Sequence, residues 1–435
     1  MKTALRAVGL LIQVAVLAPS VGAQSSLVEL ERKIDILTQE VEKLKLGEAA
    51  AEPVYESVYG FAPAAAKVYH VNRGVSIGGY GEMTVQDFDS KREDGKASGK
   101  LREADFLRAV IYVGHKFTDK ILFNSEIEFE HASTAGGSAP RGEVSLEFGY
   151  LDFMFRKEAN LRAGLLLLPV GLTNELHEPI VFHGSLRPAV ERNFIPTTWR
   201  ENGVGLFGTL GPIEYRSYAV AGLQAVKDAT PGVKGFSAST GLKDGRSKGA
   251  KTTAEDLAWA ARADYKGVPG VVLGASVYTG NSGQSMANSS GVVDGSITLW
   301  ETHASWNYQG LELKGLYGVG SIGDAAKINA MNGLAGNKSI GERMFGGYAE
   351  AAFDVLSLCR SKQYLAPFAR YERYDTQSEV PAGFSKDPAN SRAEFTYGLT
   401  YKPHPNTVIK ADYQNLKNQA KTGVDQFNLA IGYLF

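Results

Sequence analysis

The sequence predicts an all-β protein, a 16-stranded antiparallel transmembrane β-barrel that follows a short N-terminal periplasmic coiled-coil helix. Apolar and polar residues alternate with a period of two in one segment after another from Val75 to Phe435, which is typical of strands with one apolar face. The connections between these segments are short and long in strict alternation, as in outer-membrane barrels. The 49 Gly, 20 Tyr and 20 Phe residues also favour short strands and turns over helices.

The composition excludes several other classes of protein. The formal net charge is −1, so nothing in the overall charge indicates a nucleic-acid partner. The single cysteine, Cys359, can form neither an internal disulfide nor a Cys-based zinc site. The seven histidines show no paired spacing. We therefore expect no metal site and no cofactor.

Residues 1–23 have the pattern of a signal peptide. Lys2 and Arg6 precede an apolar run over residues 7–18, and small residues at Val21 and Ala23 form a cleavage site. The run is too short for a permanent membrane helix, and no stretch of about 18 apolar residues follows it. We expect an exported protein that has no helical anchor.

Residues 24–46 have the spacing of a coiled coil. Apolar residues recur at alternating intervals of three and four, at Leu27, Leu30, Ile34, Leu37, Val41 and Leu44. This spacing predicts a self-associating helix, although an amphipathic helix that packs on its own domain is the alternative. Residues 47–73 contain Pro53, Pro63 and an Ala-rich run, which indicate a linker before the barrel domain at residues 74–435.

Sixteen strands are predicted within the barrel domain. The second strand is centred on residues 107–113, and the others lie near residues 75–87, 121–130, 143–155, 161–168, 203–210, 213–221, 256–265, 271–280, 297–308, 311–319, 343–354, 364–374, 392–402, 407–415 and 425–435. An even number of strands places both ends of the barrel on the short-turn side, which in outer-membrane barrels is periplasmic.

The two faces of these strands differ in chemistry. One face carries aromatic residues near the strand ends, typical of the girdles that contact lipid: Trp259, Tyr265, Trp300, Trp306, Tyr308, Tyr397 and Tyr401. The opposite face carries charged residues, which we expect to line the lumen: Arg108, Glu126, Glu128, Glu130, Arg162, Arg216, Arg262, Lys314, Arg370 and Lys410. Because so many charges need water around them, this face predicts a water-filled lumen.

The connection at residues 169–202 has the composition of a constriction loop. It is rich in proline and apolar residues and therefore needs a surface to pack against. If it folds into the lumen, it presents His177 and six charged side chains to the pore: Glu175, Glu178, Arg187, Glu191, Arg192 and Arg200. The alternative is a loop that caps the barrel or contributes to an oligomer interface.

The leader, the heptad segment, the first strand SIGGYGE, the stretch LRPAVERNFIPTTWRENGVGLFG and the terminal FNLAIGYLF resemble the phosphate-selective porin O/P family. The resemblance implies a 16-stranded outer-membrane porin, usually trimeric, that passes small solutes passively and in some members selects phosphate. Arg187, Arg192 and Arg200 are the arginines that match such a filter. Glu126, Glu128 and Glu130 depart from it, because carboxylates oppose the passage of anions.

The sequence thus predicts a non-enzymatic porin in the outer membrane of a Gram-negative bacterium. The expected partners are outer-membrane lipids, small hydrophilic solutes or anions such as phosphate, two further copies in a homotrimer, and the barrel assembly machinery. We expect this machinery to recognise the aromatic C-terminal Phe435. A surface receptor or adhesin is the alternative function, and a barrel hydrolase is a more remote one.

Overall fold

The computed structural model describes residues 33–35, 37–38, 56–134, 142–289, 291–359 and 361–435. The chain divides into two units, Met1–Val54 and Tyr55–Phe435. In the first unit the described residues are helical, and Ile34 and Leu37 are exposed. The predicted signal peptide and most of the predicted coiled coil lie outside the described residues. None of the described helices is long and apolar enough to cross a membrane.

The second unit is a closed antiparallel barrel of sixteen strands. We number them in chain order: β1 Gly74–Phe88, β2 Glu103–Thr118, β3 Ile121–Glu130, β4 Val144–Arg156, β5 Ala159–Leu167, β6 Arg200–Leu210, β7 Ile213–Ala221, β8 Leu257–Tyr265, β9 Val271–Gly280, β10 Ile297–Tyr308, β11 Leu311–Ile322, β12 Arg343–Phe353, β13 Tyr364–Glu379, β14 Ser391–His404, β15 Thr407–Asn418 and β16 Gln426–Leu434. The predicted fold class and strand number are confirmed, and the predicted strands lie where the alternation placed them.

Short elements precede or connect the strands. In the second unit, helix α1 Lys67–His70 lies before β1, helix α2 Ala325–Met331 lies between β11 and β12, and a π-helical turn spans Val190–Phe194. A two-stranded ribbon of Ala287–Asn288 and Gly291–Val292 lies between β9 and β10, and 3₁₀ turns lie at Lys243–Gly245, Gly336–Lys338, Val355–Cys359 and Pro388–Asn390.

The barrel closes where β1 pairs with β16. Their register runs from Tyr80 opposite Leu434 to Phe88 opposite Gln426. Phe435 continues the pairing, since its N–H and C=O bond the C=O and N–H of Gly79, each at 3.0 Å. A closed ladder leaves no free strand edge, which a lipid environment requires.

The outward face of the barrel is apolar. Along β16 exposed and buried residues alternate strictly, and the exposed ones include Phe427, Leu429 and Ile431. Trp259 and Trp300 are also exposed, on β8 and β10. This alternation directs the polar side chains inward, toward the lumen.

The structure corrects the prediction of a linker for the described residues 56–73. Residues 58–70, called here the inner segment, pack against the lumen face of the barrel and include buried Phe61, Ala65 and Val68. Its small residues carry no periodic pattern, so composition alone suggested a linker. The wall is shaped to receive them, because a Cβ added at Gly114 of β2 would lie 2.7 Å from Val68.

Candidate functional site

The lumen is the candidate site, and residues 169–202, called here the lumen loop, cross it. Backbone amides of the loop donate to carboxylates on distant strands: Val190 to Glu372 of β13 at 2.9 Å and Ser185 to Asp412 of β15 at 2.6 Å. On β13, Arg370 donates to the carbonyl of His183 at 3.2 Å. The loop is therefore held inside the barrel, whereas its predicted role in limiting passage stays a prediction.

The π-helical turn anchors this loop to the wall. The ring of buried Phe194 occupies the space that side chains at Gly318 of β11 and Gly346 of β12 would fill. Next to it, Glu191 accepts hydrogen bonds from Thr173 N–H at 2.6 Å and from the Tyr348 hydroxyl at 2.7 Å. Burial raises the pKa of Glu191. The sequence placed this side chain in the pore, whereas in the structure it links the loop to Tyr348 on the wall.

The three loop arginines have different environments. Arg200 is buried and pairs with Glu147 of β4 at 2.8 Å, so its charge is compensated. Arg187 is also buried and donates to the hydroxyls of Thr197 and Thr198 at 3.1 and 3.3 Å. Arg192 is only half-buried, and of the three it is the one that solvent reaches best.

Two acidic residues of the loop also have fixed partners. Glu175 lies 3.3 Å from Arg216 of β7. Glu178 accepts hydrogen bonds from the amides of Ala64 and Ala65, at 2.9 and 3.0 Å. Burial is the main cause that raises the pKa of Glu178, to about 8.

Beside them, His177 Nε2 lies 3.0 Å from Glu126 Oε1 of β3. Burial lowers the pKa of His177 to about 3, so the imidazole is neutral at physiological pH. The sequence placed both side chains in the pore, whereas in the structure both are buried.

The expectation that water solvates the charges of the wall is wrong for most of the predicted positions. Buried or nearly buried arginines instead pair with carboxylates on their own or a neighbouring strand: Arg108 with Glu128 at 3.0 Å, Arg162 with Asp152 at 2.8 Å, Arg216 and Arg262 with Asp264 at 2.8 Å, and Arg370 with Glu350 at 2.9 Å. The strand register creates these pairs, since it places Arg162 opposite Asp152 and Arg370 opposite Glu350. Glu130, near the end of β3, is half-buried.

A cavity of about 210 Å³ remains in the lumen near the short-turn end of β10, β11 and β14. Its lining includes Lys314, Lys402, His183 and Glu312. Lys314 donates to the carbonyl of Val181 at 3.2 Å. Glu312, the carboxylate of this lining, already accepts a hydrogen bond from Tyr364 at 2.6 Å and lies 3.3 Å from His183.

Lys410 adds a third ammonium group beside this cavity. Its Nζ lies 3.6 Å from the centroid of the Phe182 ring, which also lines the cavity. It is buried, and its Nζ has no hydrogen-bond partner among the described residues. Lys314, Lys402 and Lys410 thus place three amino groups in or beside the lining of this cavity.

Several residues of this site were not predicted from the sequence. Glu147, Lys402 and His183 were not singled out, although strand alternation gave a signal for the first two, because it directs both inward. No pattern in the sequence marks His183, whose Nδ1 meets Thr400 at 3.0 Å only because the loop crosses the lumen.

Solved structures with this fold are outer-membrane proteins. The anion-selective porin from Comamonas acidovorans is 12% identical, with a TM-score of 0.51 over 83% of this chain and 99% of that chain. The DcaP channel of Acinetobacter baumannii is 12% identical, with a TM-score of 0.50 over 83% and 97%. A loop-deletion variant of OmpT, an outer-membrane protein of Vibrio cholerae, is 8% identical, with a TM-score of 0.52 over 84% and 100%. These likenesses show a porin-type barrel fold.

Sequence similarity to one relative shows that the chain belongs to a family. No family model matches the chain, so membership of the phosphate-selective porin O/P family stays a prediction. An uncharacterised protein of Aquifex aeolicus is 38% identical over 398 residues, which are 90% of this chain and 87% of that protein. The chain, a closed 16-stranded barrel, belongs to the same family as this Aquifex aeolicus protein.

Proposed function

We propose that the protein is an outer-membrane channel through which small hydrophilic solutes diffuse passively, and that it prefers anions. The observation that carries the proposal is the closed barrel with an apolar outward face and a lumen lined by charged residues and crossed by a loop. Such a barrel spans a bilayer and leaves its polar interior to water and solutes. The similar fold of solved porins and channels supports it.

The cavity beside Lys314, Lys402 and Lys410 supports the preference for anions. Lys314 and Lys402 line it, Lys410 lies next to its Phe182, and the carboxylate of its lining, Glu312, is already engaged by Tyr364 and His183. An anion that enters from the short-turn side gains attraction that a cation does not. The guanidinium groups elsewhere in the wall are paired and contribute less.

Planar-bilayer recording tests both parts of the proposal. The purified protein should produce ohmic conductance steps, and the reversal potential in a salt gradient should show that anions pass preferentially. Lys402→Gln combined with Lys410→Gln should move the reversal potential toward that of a non-selective pore. Lys362→Gln is the matched control, because Lys362 is exposed on the turn between β12 and β13. An unchanged reversal potential in the double variant would remove the cavity from the filter.

The loop arginines are tested separately. Because Arg200 is paired with Glu147, we expect the Arg192→Ala variant to account for most of the change in the triple variant of Arg187, Arg192 and Arg200. Phosphate added to a chloride solution should reduce the chloride current if phosphate binds in the pore. A protein that gives no conductance steps would instead favour the receptor or adhesin.

A further inference from the structure

The inner segment occupies part of the lumen and packs against the wall. Its contacts with the wall are made largely through side chains: Phe61 packs on Phe148 and Tyr150, with ring centroids 5.1 and 5.4 Å apart. The Tyr69 hydroxyl donates to Asp152 of β4 at 2.7 Å, and Asn124 of β3 donates to the carbonyl of Ala65 at 2.9 Å. The segment therefore covers one side of the lumen, beside β2–β5.

The barrel closes independently of this segment. β1 pairs with β2 and with β16 along its own backbone, whereas the backbone-to-backbone hydrogen bonds of the segment run within it, such as Ala66 N–H to Ala62 C=O at 2.9 Å. The segment is joined to β1 at one end only. Its departure would therefore break no bond of the strand ladder.

The wall behind the segment combines the rings of Phe148 and Tyr150 with polar groups. It presents the amide of Asn124, the hydroxyl of Tyr150 and the ion pair of Asp152 with Arg162. Polar groups of this kind are satisfied by water when the protein partner leaves. Apart from Phe61 and Val68, the buried apolar residues of the segment are alanines, which lose little on exposure.

One carboxylate links the segment to the lumen loop. Glu178 is fully buried and accepts the amides of both Ala64 and Ala65. These hydrogen bonds join two parts of the chain that are 113 and 114 residues apart in sequence. If the segment leaves, Glu178 loses both donors, so the positions of the loop and the segment are coupled.

We propose that residues 58–70 are a displaceable plug that narrows the lumen beside β2–β5, and that Glu178 of the lumen loop is the contact that retains it. The plug is a segment of the same chain that forms the barrel. Its displacement widens the passage without unfolding the barrel. The conductance readout of this inference depends on the proposed channel function, whereas the labelling readout described below does not.

The first experiment replaces residues 58–70 of the full chain with a Gly-Ser sequence of equal length. Single-channel conductance should rise by about twofold or more, since added water in the lumen carries more current. Equal conductance in a variant that assembles normally would overturn the proposal. If neither protein gives conductance steps, the channel function fails, and the second experiment decides on the plug.

The second experiment measures thiol labelling of Ala65→Cys in a Cys359→Ser background, with the full chain in lipid vesicles. Labelling by a small water-soluble maleimide should be slow and should accelerate about tenfold or more when Glu178→Ala removes the acceptor of the two N–H groups. Glu178→Gln should restore slow labelling, because its amide oxygen still accepts the two N–H groups. Ser57→Cys, at an exposed position, is the control and should label fast throughout. The same labelling rate of Ala65→Cys with and without Glu178 would overturn the plug.

Discussion

The contact between Phe194 and Gly346 provides a sharp test of how the lumen loop is held. A Cβ added at Gly346 would lie 2.8 Å from two atoms of the Phe194 ring, whereas ordinary contact begins near 3.4 Å. The ring must therefore retreat by about 0.6 Å (3.4 − 2.8) if the strand does not move. Overpacking of this kind costs about 1–3 kcal/mol, which shifts the equilibrium between seated and displaced loop about 5- to 140-fold.

Fluorescence of Trp199 reports the position of the loop. Trp199 is fully buried in the loop and lies 4.5 Å from Tyr278, measured between ring centroids. The other three tryptophans face outward and are replaced by Phe to leave a single emitter. In this background Gly346→Ala should increase the quenching of Trp199 by acrylamide and lower the melting temperature.

Gly315→Ala is the matched control for this substitution. Gly315 lies on β11, which pairs with the strand of Gly346, and its added Cβ would meet only the carbonyl oxygen of Tyr348, at an ordinary 3.5 Å. This variant should leave the quenching unchanged. If Gly346→Ala lowers the melting temperature but not the protection of Trp199, the strand and not the loop has yielded, and the reasoning is refuted.

Three other perturbations give defined outcomes. Glu178→Gln should flatten the dependence of stability on pH: burial raises the pKa of Glu178 from 4.5 to about 8, so the folded state keeps a proton that the unfolded state has lost. The melting temperature of the wild type should therefore fall between about pH 4.5 and pH 8 and level off above, and an equal fall in the variant would contradict this. Arg162→Met should lower the free energy of unfolding by about 3–5 kcal/mol, because Asp152 is left buried and unpaired, and adding Asp152→Leu should recover most of it in denaturant titrations. Deletion of Phe435 removes two hydrogen bonds to Gly79 and should reduce the amount of heat-modifiable barrel in membranes, and normal amounts would count against this.

Strand alternation was sufficient to predict the barrel because each strand repeats the same signal. β9 and β10 begin and end at the predicted residues, and β13 exceeds its prediction by five residues beyond 374 only because its polar end continues above the apolar belt. The face of each charged residue also followed from the alternation. The contacts of the charged residues could not be predicted in this way. Pairs such as Arg162 and Asp152 depend on the register between strands, which alternation does not determine.

The filled lumen could not be predicted for a different reason. The charges of Glu175 and Glu178 were assigned to a pore because the loop's apolar residues required burial, but the partners of those charges lie on strands and segments remote in sequence. The Ala-rich run at residues 64–66 has no period, so nothing distinguishes a plug from a tether. Only the assembled wall shows which surface these residues fit.

Because β1 pairs with β16, the barrel can close only after the C-terminal strand has been made. Every other neighbouring pair of strands is consecutive, so it can form as a hairpin while the chain is still being made. The first strand, however, completes its pairing only when residues 426–435 are present, and until then both edges of the sheet carry unpaired N–H and C=O groups. A chain that lacks β16 is therefore not a narrower channel but an open sheet with two unpaired edges. Such edges can pair with other chains and aggregate, or they can be bound by a chaperone.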